Sequence, residues 1–165
     1  MTKTNDDLKA AFAGESQANR RYLAFAKKAE EEGQPAIAKL FRAAAAAETV
    51  HAHNHFRVLG GVGSTADNLS AAIEGESYEV VKMYPEFMAD AENDGDKKAL
   101  NSFRWAFEVE KEHEALFREA LAKLGGEMTD VEIYVCPVCG HTHIGTPPEK
   151  CPLCGTLKNK FGKID

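Results

Sequence analysis

The residues most able to do chemistry form two copies of one motif, a glutamate followed three positions later by a histidine. Glu48 and His51 make the first copy, and Glu110 and His113 make the second. Positions i and i+3 of an α-helix differ by about 60° around its axis, so both side chains of a pair lie on one face. Carboxylate and imidazole ligands together suit iron or manganese. The repeated motif therefore predicts two parts of a metal centre.

Three more glutamates lie on otherwise apolar stripes of helical sequence, at Glu15, Glu76 and Glu79. An ionised carboxylate in such a place is costly without a partner and tends to become protonated. Two cations would neutralise five such carboxylates on converging faces. One glutamate from each of two helices, with Glu-x-x-His from each of the other two, is a known dinuclear site in four-helix bundles. Any one of these glutamates alone would suit a solvated helix face, but the repeated pattern favours a metal pair.

The chain ends in a second candidate metal site with four thiols. Its cysteines form two Cys-Pro-x-Cys-Gly turns, and they are Cys136, Cys139, Cys151 and Cys154. Two matched turns that share one tetrahedral ion explain this pattern better than a disulfide or a redox pair does. Zinc and iron both accept four thiolates, and the turns by themselves favour a structural zinc ribbon.

Glycine-rich breaks divide the chain into four amphipathic helices and a tail. After Gly126 the sequence favours extended structure and turns. We expect an all-α four-helix bundle made of two helical hairpins, followed by a small β domain with the four cysteines. The predicted helices span 4–32, 35–59, 66–93 and 96–124, and the predicted domains span 1–128 and 129–165.

The two hairpins repeat each other, with one interruption. Moving 62 residues along the chain takes Tyr22 to Tyr84, and the same step joins the two Glu-x-x-His motifs. Glu15 reaches Glu76 after 61 residues, so the third helix holds one extra residue between Glu76 and Tyr84. An extra residue inside a helix predicts a π-bulge, a feature common at functional sites.

Composition excludes several classes of partner. The net charge is −6 and the isoelectric point is near 5.5, which argues against nucleic acids and anionic membranes. There is no stretch of about 18 apolar residues, so we expect no membrane span. The polar N-terminal segment does not resemble a signal peptide, which favours a cytoplasmic protein.

Taken together, these residues resemble the rubrerythrins. The resemblance covers nearly the whole chain. It includes the segment Met83–Phe87 and the tail from Cys136 to Phe161. His141 departs from the family pattern, because an aromatic residue is expected after the first cysteine turn. The proposed ligands all match: Glu15, Glu48, His51, Glu76, Glu79, Glu110, His113 and the four cysteines.

The resemblance implies a ferritin-like bundle with a carboxylate-bridged di-iron site and a rubredoxin-like domain with mononuclear iron. In that scheme Glu48 and Glu110 bridge the two irons, while His51 and Glu79 exchange on one iron as its oxidation state changes. The remaining ligands, Glu15, Glu76 and His113, are terminal. The resemblance also implies a homodimer or larger homo-oligomer, in which the four-cysteine iron of one subunit lies near the di-iron site of another. The link over 60–64 leaves open whether both hairpins of one bundle come from one chain.

The expected function is reduction of hydrogen peroxide to water, in protection against oxidative stress. Electrons would enter through the four-cysteine iron. They would come from a separate NAD(P)H-dependent reductase or a rubredoxin, since the chain has no glycine motif for a nicotinamide cofactor. Two other functions fit parts of the sequence. One is a ferroxidase or iron-handling protein, which needs only the bundle, and the other is an adaptor with a zinc ribbon on a structural bundle.

Overall fold

The computed structural model describes residues 2–126 and 130–165, and the chain packs as two compact units, Met1–Gly63 and Ser64–Asp165. The domain boundary predicted between residues 128 and 129 lies outside the described residues. The elements are α1 (Lys3–Glu31), α2 (Pro35–Val58), α3 (Thr65–Tyr78), a π-helical segment (Glu79–Met83), α4 (Tyr84–Asn93), α5 (Lys97–Lys123), β1 (Ile133–Val135), β2 (Thr142–Ile144), a 3₁₀ turn (Lys158–Lys160) and β3 (Gly162–Ile164).

The first unit is a helical hairpin of α1 and α2. Gly33 allows the tight turn, because its φ of 71° lies in a region that favours glycine. Small side chains let the two backbones approach closely. Asn19 adds a polar link, because its Nδ2 donates to the Ala45 carbonyl at 2.7 Å and to Thr49 Oγ1 at 2.9 Å. The buried alanines of this unit are Ala18, Ala26, Ala29, Ala38, Ala45 and Ala52.

The helical part of the second unit repeats this hairpin, with α3, the π segment and α4 packed along α5. Three aromatic rings of each hairpin show the equivalence. Ring centroids are 6.3, 6.2 and 5.6 Å apart in the first hairpin and 6.3, 6.4 and 5.6 Å apart in the second. The matched rings are Tyr22, Phe25 and Phe41, and Tyr84, Phe87 and Phe103. The predicted repeat is confirmed.

The extra residue of the third predicted helix is accommodated by π-helical hydrogen bonding. The Tyr84 amide donates to the Glu79 carbonyl, five residues back, where an α-helix would use residue 80. Pro85 follows directly and lies in the first turn of α4, where its missing N–H removes no hydrogen bond that the turn needs. The predicted π-bulge between Glu76 and Tyr84 is thus confirmed.

Side-chain caps fix where the helices of the second unit begin. Ser64 and Asp67 form a reciprocal capping box at the start of α3. Asp96 accepts hydrogen bonds from the amides of Lys98 and Ala99 and so caps α5. The two caps define the register of the helices that carry Glu76 and Glu110.

The tail forms a three-stranded antiparallel sheet in the order β2-β1-β3. Tyr134 of β1 lies opposite His143 of β2 and Lys163 of β3. The sheet is short, so the cysteine turns supply much of what organises this domain. Among the described residues no helix is both long and apolar enough to cross a membrane.

Candidate metal centres

The four cysteines converge on one point. Cys136 Sγ lies 3.6 Å from Cys154 Sγ, and Cys139 Sγ lies 3.5 Å from Cys151 Sγ. These separations are far longer than a disulfide bond of about 2.05 Å. They are close to the edge of about 3.8 Å that a tetrahedron of thiolates has around an ion bound at about 2.3 Å. The cysteines are free thiols, and their geometry fits one four-coordinate ion.

The surroundings of the thiols also fit a cation. Burial raises the pKa of the Cys139 thiol far above its usual range, although the His141 amide donates to its sulfur. Burial also opposes ionisation of Cys154, but hydrogen bonds from the Thr156 side chain and backbone lower its pKa to about 6. Amides and hydroxyls directed at the sulfurs stabilise thiolates, and a bound cation would stabilise all four.

Three of the predicted ligands meet in the second unit, where Glu76 comes from α3 and both Glu110 and His113 come from α5. His113 Nδ1 lies 2.7 Å from Glu110 Oε2 and 3.8 Å from Glu76 Oε1. The side chains of Glu76 and Glu110 are only 19% and 17% exposed. Nδ1 therefore faces the carboxylates, as required if this nitrogen is the metal ligand.

Glu79 and Tyr84 lie beside this set. Burial and the neighbouring charge of Glu110 raise the pKa of Glu76, while burial and the charge of Glu76 raise the pKa of Glu79. Burial, together with the charge of Glu79 and two other carboxylates, raises the pKa of Tyr84, so its hydroxyl stays protonated and able to donate. Such crowding of negative charge is unfavourable without a proton or a cation, and the donor atoms fit iron or manganese.

The first unit holds the matching set of Glu15 from α1 with Glu48 and His51 from α2. His51 Nδ1 lies 3.0 Å from Glu48 Oε2, which repeats the geometry of the second set. The two histidines differ in exposure, because the side chain of His51 is 54% exposed and that of His113 is 30% exposed. Ala18 occupies the place that follows Glu15 by three residues, so this unit has no counterpart of Glu79.

Other polar residues of α2 and α5 fall outside these sets. Neither His53 nor His55 belongs to a cluster of metal-ligating side chains in the described part of the chain. Glu114 accepts a hydrogen bond of 2.5 Å from Ser77 Oγ and is also bonded by Arg118. It therefore ties α3 to α5 beside Glu76.

Sequence reasoning missed a contact between the cysteine domain and α5 of the same chain, whereas the resemblance implied proximity between different subunits. His141 Nδ1 lies 2.7 and 2.8 Å from the two carboxylate oxygens of Glu112. Thr142 Oγ1 lies 2.9 Å from His113 Nε2. Glu112 resembles its exposed neighbours on α5, and nothing in its spacing distinguishes it. The departure of His141 from the aromatic pattern was the one available signal.

Comparison with known proteins agrees with this geometry. The rubrerythrin family model matches residues 6–121, and the model for the rubredoxin-like domain of rubrerythrin matches residues 134–162. Rubrerythrin-2 of Clostridium acetobutylicum is 41% identical over 96% of this chain and 95% of its own length. Nigerythrin of Nitratidesulfovibrio vulgaris is 35% identical over 96% of this chain and 85% of its own length.

A solved structure described as the fully reduced, all-ferrous state of nigerythrin has a TM-score of 0.60 to this chain at 34% identity. The match covers 99% of this chain and 88% of that one. The cysteine cluster, the carboxylate–histidine sets and these relatives agree. The chain belongs to the rubrerythrin family, an oxidoreductase family with a di-iron site and a rubredoxin-like iron site.

Proposed function

We propose that this protein reduces hydrogen peroxide to water, with two electrons and two protons consumed for each peroxide. The observation that carries the proposal is the position of the four-cysteine site on α5, the helix that also holds Glu110 and His113. A four-thiolate iron exchanges one electron at a time, while a pair of irons can deliver two. The chain has both kinds of donor set.

Each protein ligand has a role in this proposal. Glu48 and Glu110 would bridge the metal pair, and Glu15, Glu76 and His113 would be terminal ligands. His51 and Glu79 would exchange on one metal. Iron in this centre would supply Lewis-acid binding of peroxide and the electrons for its reduction. The Tyr84 hydroxyl, whose pKa is raised by burial and by the charges of Glu79, Glu110 and Glu76, would stay protonated near these carboxylates.

Electrons come from outside the chain. We propose that a separate NAD(P)H-dependent reductase or a rubredoxin reduces the four-cysteine iron, and that the working unit is a homodimer. Four unpaired thiols arranged for a metal suit a reducing compartment, so we place this activity in the cytoplasm, in defence against peroxide.

Anaerobic stopped-flow mixing tests the proposal. The fully reduced iron protein is mixed with hydrogen peroxide or with dioxygen, and the visible absorption of the oxidised four-cysteine iron is followed. We expect rapid recovery with peroxide, much slower recovery with dioxygen, and loss of the fast phase in Glu48→Ala. Addition of NADH and a reductase should then give sustained peroxide consumption.

The other two candidate functions predict different results. An iron oxidase would react faster with dioxygen and would turn over ferrous ions without the four-cysteine site. A zinc adaptor would be colourless and inert toward both oxidants. Either result would refute the peroxidase proposal.

A further inference from the structure

Three consecutive residues of the cysteine domain, Gly140, His141 and Thr142, contact one face of α5. We name this segment the strap. A Cβ atom at Gly140 would lie 3.8 Å from Val109 Cγ1, so the strap backbone runs close to the helix. His141 then bonds to Glu112 and Thr142 bonds to His113. Because the three contacts on α5 are at positions i, i+3 and i+4, they lie on a single face.

Thr142 is placed to favour one of the two neutral tautomers of His113. Its Oγ1 donates to the Gly140 carbonyl at 3.3 Å and lies 2.9 Å from His113 Nε2. When Nδ1 binds a metal, the proton of the neutral ring is on Nε2, and Nε2–H can donate to the Thr142 oxygen. This hydrogen bond favours the tautomer whose Nδ1 lone pair is free for a metal at the carboxylate set.

His141 anchors the strap from inside the protein. It is only 7% exposed, and its Nδ1–H is shared between both oxygens of Glu112. Its ring packs edge-on against Phe161, with centroids 6.3 Å apart, while Nε2 has no hydrogen-bond partner among the described residues. A purely aromatic residue would fill this space but could not bond to Glu112. The contact thus joins the first cysteine turn to the residue that precedes His113.

We propose that the strap is a positioning element: Thr142 holds the His113 ring in its metal-binding tautomer and orientation, and the His141–Glu112 pair holds the four-cysteine site on α5. The inference extends the proposed function, since it names what keeps the electron-entry site beside one ligand of the peroxide-reducing centre. It concerns contacts inside the second unit only. Partners that orient a metal-bound histidine typically contribute about 10- to 100-fold in affinity or activity.

The first test reads the His113 ring directly. The full-length protein is loaded with zinc, which is diamagnetic, and the ring N–H signals are recorded by ¹⁵N–¹H NMR. We expect a slowly exchanging His113 Nε2–H in the wild type and in Thr142→Ser, which keeps the hydroxyl. Thr142→Val has the same shape without the hydroxyl, and it should lose this signal and bind metal about 10-fold more weakly at the carboxylate set.

The second test compares two identical changes on α5 in the iron-loaded full-length protein. Glu112→Gln weakens the bond to His141, whereas Glu108→Gln alters an exposed carboxylate whose partner within residues 2–126 and 130–165 is Lys111. We expect recovery of the four-cysteine absorption after peroxide to slow about 10-fold in Glu112→Gln. It should stay at the wild-type rate in Glu108→Gln, and the midpoint potential of the four-cysteine iron should stay unchanged in both.

The outcomes separate this inference from the proposed function. If Thr142→Val keeps the Nε2–H signal and the wild-type metal affinity, or if Glu112→Gln reacts like Glu108→Gln, the strap is only a packing contact. If the wild type fails to respond to peroxide, the proposed function is wrong, and the NMR and metal-affinity measurements still decide the role of Thr142.

Discussion

At the scale of single residues, this protein concentrates negative charge where the chain alone cannot neutralise it. Glu76 and Glu79 are partly buried beside Glu110, and the pKa of each is raised by burial and by a neighbouring carboxylate. In the metal-bound protein this arrangement is favourable, because the attraction between the cations and the carboxylates offsets the cost of removing the carboxylates from water. Without metal the same residues destabilise the fold.

This charge predicts a pH dependence for the metal-free protein. A carboxyl whose pKa is raised in the folded state contributes stability below its unfolded pKa, near 4.5, and loses it as the pH rises through the folded value. Glu76→Gln removes one such carboxylate. We therefore expect Glu76→Gln to raise the Tm of the metal-free protein by a few degrees at pH 7.5 and by less at pH 5.

Thermal unfolding in the presence of a chelator, followed by circular dichroism, measures this difference. Glu108→Gln is the control, since it removes a carboxylate outside the set. The Tm difference between Glu76→Gln and the wild type could instead be the same at pH 5 and pH 7.5. That result would show that ionisation of Glu76 does not destabilise the metal-free protein.

At the scale of elements, the π-helical segment explains the presence of Glu79, the one carboxylate of the second hairpin's ligand region that has no counterpart in the first hairpin. The first hairpin has Ala18 three residues after Glu15, and Ala18 is buried between α1 and α2. We infer that a regular helix would bring Glu79 closer to α5, and that the extra residue of the π segment leaves room for its carboxylate beside Glu76.

Deletion of Val81 tests this explanation, because Val81 is 78% exposed and its own side chain contributes little packing. The deletion restores the seven-residue spacing of the first hairpin and forces Glu79 toward the interior. We expect a loss of about 2 kcal/mol in the free energy of unfolding, the order expected for a poorly solvated polar group. Adding Glu79→Ala to the deletion should recover most of this loss.

Chemical denaturation of the metal-free variants gives these free energies. The Glu79→Ala substitution in the full-length helix is the reference for the double variant. If the deletion is equally costly with glutamate and with alanine at position 79, the π segment serves helix packing and not the carboxylate.

At the scale of the whole molecule, the chain presents two ligand sets of identical type, each with one histidine and two glutamates. Each set offers one imidazole nitrogen and two carboxylates. In the proposed function Glu48 and Glu110 would be the bridging ligands, so the two sets would hold one metal pair.

Metal stoichiometry distinguishes a shared centre from two separate ones. A bridging carboxylate binds both ions, so Glu48→Ala or Glu110→Ala should each lower the affinity for both. We expect either variant to lose at least about 10-fold in affinity for the pair, measured by anaerobic titration with ferrous ion. If each variant instead keeps one tightly bound ion of the pair, the two sets are independent mononuclear sites.

The sequence predicted what depends on local spacing and did not predict what depends on tertiary contact. The helices, the cysteine cluster and the π segment follow from periodicity, from paired turns and from the shift between 61 and 62 residues. Thr142 was not identified, because a threonine in a short strand has no spacing that relates it to His113, 29 residues earlier. Glu112 has no spacing that distinguishes it from a solvent-facing glutamate, since only the folded chain brings His141 to it.

The single extra residue of the π segment also bears on how such a protein could arise. Two identical hairpins would offer the same ligands to each metal, and the two ions would be equivalent. A symmetric ancestor made of two separate copies of one hairpin could not depart from this equivalence, because any insertion would enter both copies. Once duplication had joined the copies in one gene, an insertion could enter one hairpin alone. That event, together with glutamate in place of alanine at position 79, would give one ligand set a carboxylate that the other lacks.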